Sequence, residues 1–129
     1  MMRTILLAFF LGYCSQSFSA ELYVISNSTL SIEASTVKSI FQGETEFSGS
    51  TKLEPTDNQT AQAVFLSKVM GMDKAKYESW WVKKSFRDGA SQPPARSTDM
   101  EVIEFIKKTP GGVGYVTTPP AGVKIIQEF

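Results

Sequence analysis

Few side chains in this sequence are able to do chemistry. Its 129 residues include no histidine and one cysteine, Cys14. Without histidine there is no Ser-His-Asp triad, no Cys-His pair and no His-ligated zinc or haem. The short-spaced carboxylates are Glu44 with Glu46 and Asp99 with Glu101. Such pairs need converging partners to hold a metal or move a proton, so we interpret them as solvated and expect no enzyme, metal or cofactor.

A glycine-rich run, Gly111-Gly112-Val113-Gly114, has the composition of a phosphate-binding loop. A loop of that kind leads into a helix and carries a lysine directly behind it. Here the run leads into a β-branched and aromatic segment and no lysine follows. We therefore predict a tight helix-to-strand turn and no nucleotide site.

Two consecutive tryptophans, Trp80 and Trp81, lie in a predicted helix. Neighbouring helix positions do not face the same core, so one should pack inward and the other should lie at the surface or rim. A tryptophan at the rim would mark a contact with a partner protein. The alternative is partial burial beneath the loop that contains Pro93 and Pro94.

The charge and apolar content limit the class of protein. Lysine plus arginine and aspartate plus glutamate are 13 each, and a nucleic-acid-binding protein would show a basic surplus. The residues are 42% hydrophobic and 12% aromatic, which suffices for a packed core in a chain of one-domain length. We expect one globular domain and no nucleic-acid partner.

The N-terminus has the three-part pattern of a secretory signal peptide. A basic start precedes the apolar run of residues 5–13 and a small, polar stretch that ends at Ala20. We predict a signal peptide over residues 1–20, with cleavage after Ser19 or Ala20. The run is too short to span a bilayer. Two alternatives are a buried N-terminal helix and a lipid anchor on Cys14, which Tyr13 disfavours because a small residue belongs there.

Cleavage would leave a domain over residues 21–129 that contains no cysteine. An exported domain without disulfides is typical of the bacterial periplasm. We therefore predict periplasmic localisation.

Helices alternate with short strands along this domain. The pattern predicts an α/β fold, a mixed sheet flanked by about four helices. In chain order we predict a strand at Leu22–Ile25, a helix through Val37, Ile40 and Phe41, a weak strand at Thr51–Glu54, a helix capped by Asp57 or Asn58, a helix capped by Asp73 and running to about Phe86, a helix capped by Thr98 with Glu101, and strands at Val113–Thr117 and Val123–Ile126.

The order of these pieces resembles a known family over roughly residues 22–127. The pieces are Ile40-Phe41-Gln42-Gly43, a capped helix ending at Gly71, Trp81, Phe86-Arg87-Asp88-Gly89, Pro93-Pro94 and Thr109-Pro110-Gly111-Gly112-Val113-Gly114-Tyr115-Val116. They resemble the phosphate-type substrate-binding proteins of ABC transporters, which have the periplasmic-binding-protein-like fold. The resemblance implies a non-enzymatic, exported solute-binding protein, related to uptake of phosphate or another oxyanion. It also implies a single lobe, because complete members have two.

The resemblance places a ligand site at the loop Thr56–Ala61. Family members carry an arginine and a Ser-Gly-Thr-like turn there, and free amides at a helix start bind oxyanions. This loop has neither arginine nor glycine, and Asp57 adds a negative charge. The ligand contacts that the resemblance implies are Asn58, Gln59 and Thr60, through outward amides and the Thr60 hydroxyl. The alternative is a helix cap alone.

Two functions of different class follow. The first is binding of a small oxyanion such as phosphate, with a homodimer as one way to complete a two-walled cleft. The second is an interaction module without ligand, which docks on an envelope protein or transporter around Asn58 and Trp80 or Trp81.

Overall fold

The computed structural model describes residues 20–129. The predicted signal peptide lies almost entirely outside these residues, so the structure leaves that prediction untested. Within the described residues no helix is long and apolar enough to cross a membrane.

The elements of residues 20–129 form a mixed α/β fold with four α-helices. In chain order they are β1 (Tyr23–Ser26), a 3-10 turn (Ala34–Thr36), α1 (Val37–Phe41), β2 (Phe47–Ser48), β3 (Thr51–Lys52), β4 (Glu54–Pro55), β5 (Asp57–Asn58), α2 (Gln62–Phe65), a π-helical turn (Leu66–Met70), α3 (Lys74–Asp88), β6 (Ala95–Arg96), α4 (Asp99–Lys108), β7 (Gly112–Val116) and β8 (Lys124–Glu128). The predicted α/β class and helix number are confirmed at this level.

The main sheet has four strands in the order β4-β7-β1-β8. β1 runs antiparallel to both β7 and β8, whereas β4 runs parallel to β7, so the sheet is mixed. Every residue of β1 and β7 is buried, in keeping with their apolar sequences. The predicted strand Thr51–Glu54 is divided, since β3 pairs with β2 and β4 joins the main sheet.

Helices cover both faces of this sheet. On one face, Val24, Val113 and Tyr115 belong to a core that α1, α2 and α3 complete. On the other face, Ile25 packs with Val102 and other residues of α4. The strand alternation of β1 therefore sends its side chains into two separate cores.

Two predicted helix caps are confirmed. The Asp73 carboxylate accepts a 2.8 Å hydrogen bond from the Lys76 amide at the start of α3. The Thr98 hydroxyl accepts one of 3.2 Å from the Glu101 amide at the start of α4. The α3 helix continues two residues past the predicted Phe86, to Asp88.

The prediction that Asp57 or Asn58 caps the next helix is wrong. Both residues form β5, which pairs in parallel with β6, and α2 begins only at Gln62. Ala61 takes the N-cap position and provides no side-chain hydrogen bond. The backbone of this segment pairs with β6 instead: the Asp57 amide donates to the Pro94 carbonyl at 2.8 Å.

Candidate functional site

A buried carboxylate lies at the junction of β5, α3 and β7. Asp57 has no exposed surface, and its two oxygens accept 2.7 Å hydrogen bonds from the hydroxyls of Tyr77 and Tyr115. Burial raises the pKa of the Asp57 carboxyl to about 6, although the two tyrosine hydrogen bonds act to lower it. Burial and the neighbouring Asp57 charge raise the pKa of both tyrosines. The carboxylate therefore joins three elements and is closed to solvent.

Aromatic packing holds one of these tyrosines in place. The ring of Tyr115 stacks on Phe65, with centroids 3.9 Å apart and planes 4° from parallel. Phe41 approaches Phe65 edge-on at 4.7 Å. The Tyr115 hydroxyl also accepts a 3.1 Å hydrogen bond from the Asn58 amide. Its donor and acceptor capacity is thus used inside the protein.

Asn58 links this cluster to the start of α4. Its Nδ2 donates to Asp99 Oδ1 at 2.7 Å and to the Tyr115 carbonyl at 3.0 Å. Its Oδ1 accepts from the Thr60 amide at 3.1 Å and from the Thr60 hydroxyl at 2.6 Å. Asn58 is fully buried and its side chain closes a local turn.

Asp99 is the second carboxylate of this network, so the interpretation of this residue as solvated is wrong. One of its oxygens accepts four hydrogen bonds, from the amides and hydroxyls of Thr117 and Thr118, at 2.9–3.1 Å. Burial alone would raise the pKa of Asp99, but the hydrogen bonds from Asn58, Thr117 and Thr118 lower it below its ordinary value. Asp99 therefore ties the segment after β7 to the turn after β5.

The expectation that the turn presents outward amides is wrong. The Gln59 amide donates to the Arg96 carbonyl at 2.9 Å, and the Ala61 amide donates to the Asn58 carbonyl at 3.1 Å. The amides of Asn58 and Thr60 are used within the turn and by Tyr115. Asn58 is buried, whereas Gln59 and Thr60 are exposed. A ligand role for these three residues stays a prediction, without the amides that motivated it.

The two tryptophans differ in burial, as their adjacent helix positions predict. Trp81 is buried, whereas Trp80 is half-buried and its Nε1 donates to the Gln42 carbonyl at 3.0 Å. Trp81 Nε1 is buried and has no hydrogen-bond partner among residues 20–129. A Cβ added to Gly43 would lie 2.6 Å from the Trp81 ring, so only glycine fits there. A partner contact at either tryptophan stays a prediction.

An arginine that the sequence analysis missed lines a groove of about 570 Å³. The guanidinium carbon of Arg96 lies 3.9 Å from the centroid of the Phe105 ring. Arg96 Nε is buried and has no hydrogen-bond partner among residues 20–129. No carboxylate within the described part of the chain forms a salt bridge with Arg96. The Arg96 side chain therefore contacts the Phe105 ring, and its buried Nε is left without an acceptor.

The groove is formed by segments distant in sequence. Besides Arg96 and Phe105, its walls include Trp81 and the loop before β6; its charged residues are Glu46, Lys52, Glu54 and Arg96. The formal charges of these four cancel. A sequence signal for Arg96 did exist, because Arg87 and Arg96 are the only arginines after residue 20 and the second follows the Pro93-Pro94 turn.

No protein-family model matches this sequence, and no curated protein is significantly similar to it.

Proposed function

We propose that the protein is a non-enzymatic, exported binding domain, a lobe of the periplasmic-binding-protein type, that binds a small oxyanion in the groove lined by Arg96. Phosphate is the first candidate ligand. One observation carries this proposal: Arg96 lines the groove, and its guanidinium has no salt-bridge partner among residues 20–129. Its buried Nε also lacks an acceptor, which is costly, and an oxyanion bound to the guanidinium would supply the missing negative partner.

The chemistry of arginine favours an oxyanion over other ligands. A guanidinium offers parallel N–H donors that match two oxygens of a phosphate or carboxylate. The cation–π contact with Phe105 restrains the guanidinium before the ligand arrives. Because the charges of Glu46 and Glu54 offset those of Lys52 and Arg96, recognition rests on hydrogen-bond geometry more than on net charge.

The position of Arg96 also agrees with the family resemblance. The turn after β5 lacks the arginine that phosphate-binding members carry at that point. Arg96 of β6 pairs with Asn58 of β5. An arginine is therefore present on the strand next to the turn at which the resemblance places one. This placement supports an oxyanion site on that side of the domain.

The test is thermal unfolding of the purified protein in phosphate, sulfate and small carboxylates at matched ionic strength. Phosphate at a hundred times its Kd should add about 2.7 kcal/mol to the free energy of unfolding by mass action. Arg96→Gln should lose that increase, and Arg96→Lys should keep less than half of it because the planar fork is gone.

The matched control is Arg87→Gln, which removes the exposed arginine of α3 and should leave the phosphate effect intact. An Arg96→Gln protein that phosphate still stabilises like the wild type would contradict the site. No stabilisation of the wild type by any of the anions would contradict oxyanion binding itself.

A further inference from the structure

The longest helix carries apolar surface on the side that faces away from the core. Phe86 is 90% exposed and Val82 is 57% exposed. Ala75 and Ser79 are exposed on the same side. We call these four residues the outer ridge of α3. Val82 and Phe86 are four residues apart, so their exposed side chains are neighbours on the helix surface.

The spacing of the outer ridge is that of a helix-packing seam. Ala75, Ser79, Val82 and Phe86 follow one another at intervals of four, three and four residues, the spacing of a and d positions in a heptad. The buried stripe of α3 consists of Tyr77, Trp81 and Lys84 and lies on the opposite side. The helix therefore packs on its own domain with one face and presents a second seam to solvent.

Positive charge without partners flanks one side of this seam. Lys76 and Lys83 are exposed, and neither forms an ion pair within residues 20–129. The other charged residues nearby do pair, since Lys74 lies 3.9 Å from Glu78 and Arg87 lies 3.1 Å from Asp88. The flank is therefore complementary to carboxylates on a partner.

A shallow depression lies beside the ridge. It has a volume of about 360 Å³ and is bordered by Val82 and Phe86 on one side and by Ala90, Ser91 and Gln92 on the other. An apolar side chain of a partner would fit between the helix and this loop, covering part of the Phe86 ring.

From these observations we infer that the outer ridge of α3 docks an acidic amphipathic helix of another protein. Apolar residues of the partner cover Val82 and Phe86, and its carboxylates pair with Lys76 and Lys83. An antiparallel second copy would instead bring the lysines of the two chains together, and a parallel second copy would have to take Glu78 from its pair with Lys74 to reach Lys83. A lipid surface would leave the narrow ridge poorly matched, because only two of its side chains are large and apolar.

The test is fluorescence anisotropy with a labelled synthetic helix that has leucines at the seam positions and glutamates beside them. The control peptide has lysines in place of the glutamates. The full-length protein should bind the glutamate peptide and not the lysine peptide. Phe86→Ser and Lys83→Glu should each weaken binding about tenfold, as for anchor residues of an interface. Lys83→Glu should also gain affinity for the lysine peptide.

Two variants serve as matched controls. Met100→Ser removes an apolar side chain that is 69% exposed on α4, and Lys38→Glu changes the charge as much as Lys83→Glu does. Both should bind the glutamate peptide like the wild type. The phosphate effect on thermal unfolding should be unchanged in Phe86→Ser, which separates this surface from the groove.

Several outcomes would overturn the inference. Equal binding of the two peptides would show that charge does not contribute to binding. Unchanged binding in Phe86→Ser would show that the peptide does not bind at the outer ridge. Binding to phosphatidylglycerol vesicles that is lost in Phe86→Ser would assign the ridge to a membrane. Dimerisation in sedimentation velocity that is lost in Phe86→Ser would assign it to a second copy.

Discussion

Asp57 connects three elements of the fold, because its carboxylate in β5 is hydrogen-bonded by a tyrosine of α3 and a tyrosine of β7. Its carboxylate is bonded by hydroxyls from residues 20 and 58 positions further along the chain. Short sequence patterns do not reveal such a partner set, and an Asp-Asn pair before a helical segment is typical of an N-cap. The cap prediction was wrong because burial between two tyrosines stabilises an extended backbone at this point.

The raised pKa of Asp57 makes stability depend on pH. Its pKa is about 6 in the folded protein, against an ordinary value of 3.8, so the folded state holds this proton more tightly than the unfolded state. The free energy of unfolding should therefore increase as pH falls from above 6 to 4, by about 2 kcal/mol from this group, and the increase is complete only below pH 3.8. Asp57→Asn should remove this increase.

Urea unfolding at several pH values between 4 and 7.5 measures the effect. The matched control is Asp73→Asn, which changes an exposed helix cap and should keep the pH dependence of the wild type. An Asp57→Asn protein with an undiminished increase between pH 6 and 4 would show that another group causes it.

At the scale of elements, the glycines of β7 decide how closely α4 approaches the sheet. A Cβ added to Gly114 would lie 2.9 Å from Val102 Cγ1 and 3.0 Å from Ile106 Cδ1. A Cβ on Gly112 would lie 3.0 Å from the Ile106 backbone. These two glycines therefore allow α4 to pack closely against β7.

Gly114→Ala should therefore destabilise the fold by about 1–3 kcal/mol, because the added methyl overpacks the core beneath α4. Chemical denaturation gives the free energy of unfolding. Gly49→Ala is the comparison, since Gly49 has a φ of +59° but no atom within 4 Å of an added Cβ. That change should cost only about 1 kcal/mol of backbone strain. A Gly114→Ala protein as stable as the wild type would contradict the packing argument.

At the scale of the molecule, the two cores share the central strands of one sheet. Val24 belongs to one core while Tyr23 and Ile25 belong to the other. If either helical layer unfolded, one face of the central strands would become exposed while the other face still packed on the remaining layer. The domain should behave as one cooperative unit.

Equilibrium urea unfolding should accordingly show one transition. Tryptophan fluorescence reports on the α3 side, where Trp80 and Trp81 lie, and far-UV circular dichroism reports on the whole chain. The two curves should coincide, with the same midpoint and slope. A fluorescence transition that precedes the loss of helix would show that α3 and its layer unfold separately.

The amino-acid pattern alone predicts the α/β class, the core strands β1 and β7, the caps at Asp73 and Thr98, and the burial of only one tryptophan of the pair Trp80 and Trp81. These features depend on spacing and on contacts within a few residues, which the sequence displays directly. Three features are visible only in the folded protein: Asp57 is buried, the turn amides are used internally and Arg96 lines a groove. Those outcomes depend on residues from separate elements meeting in space, and burial then outweighs local preference.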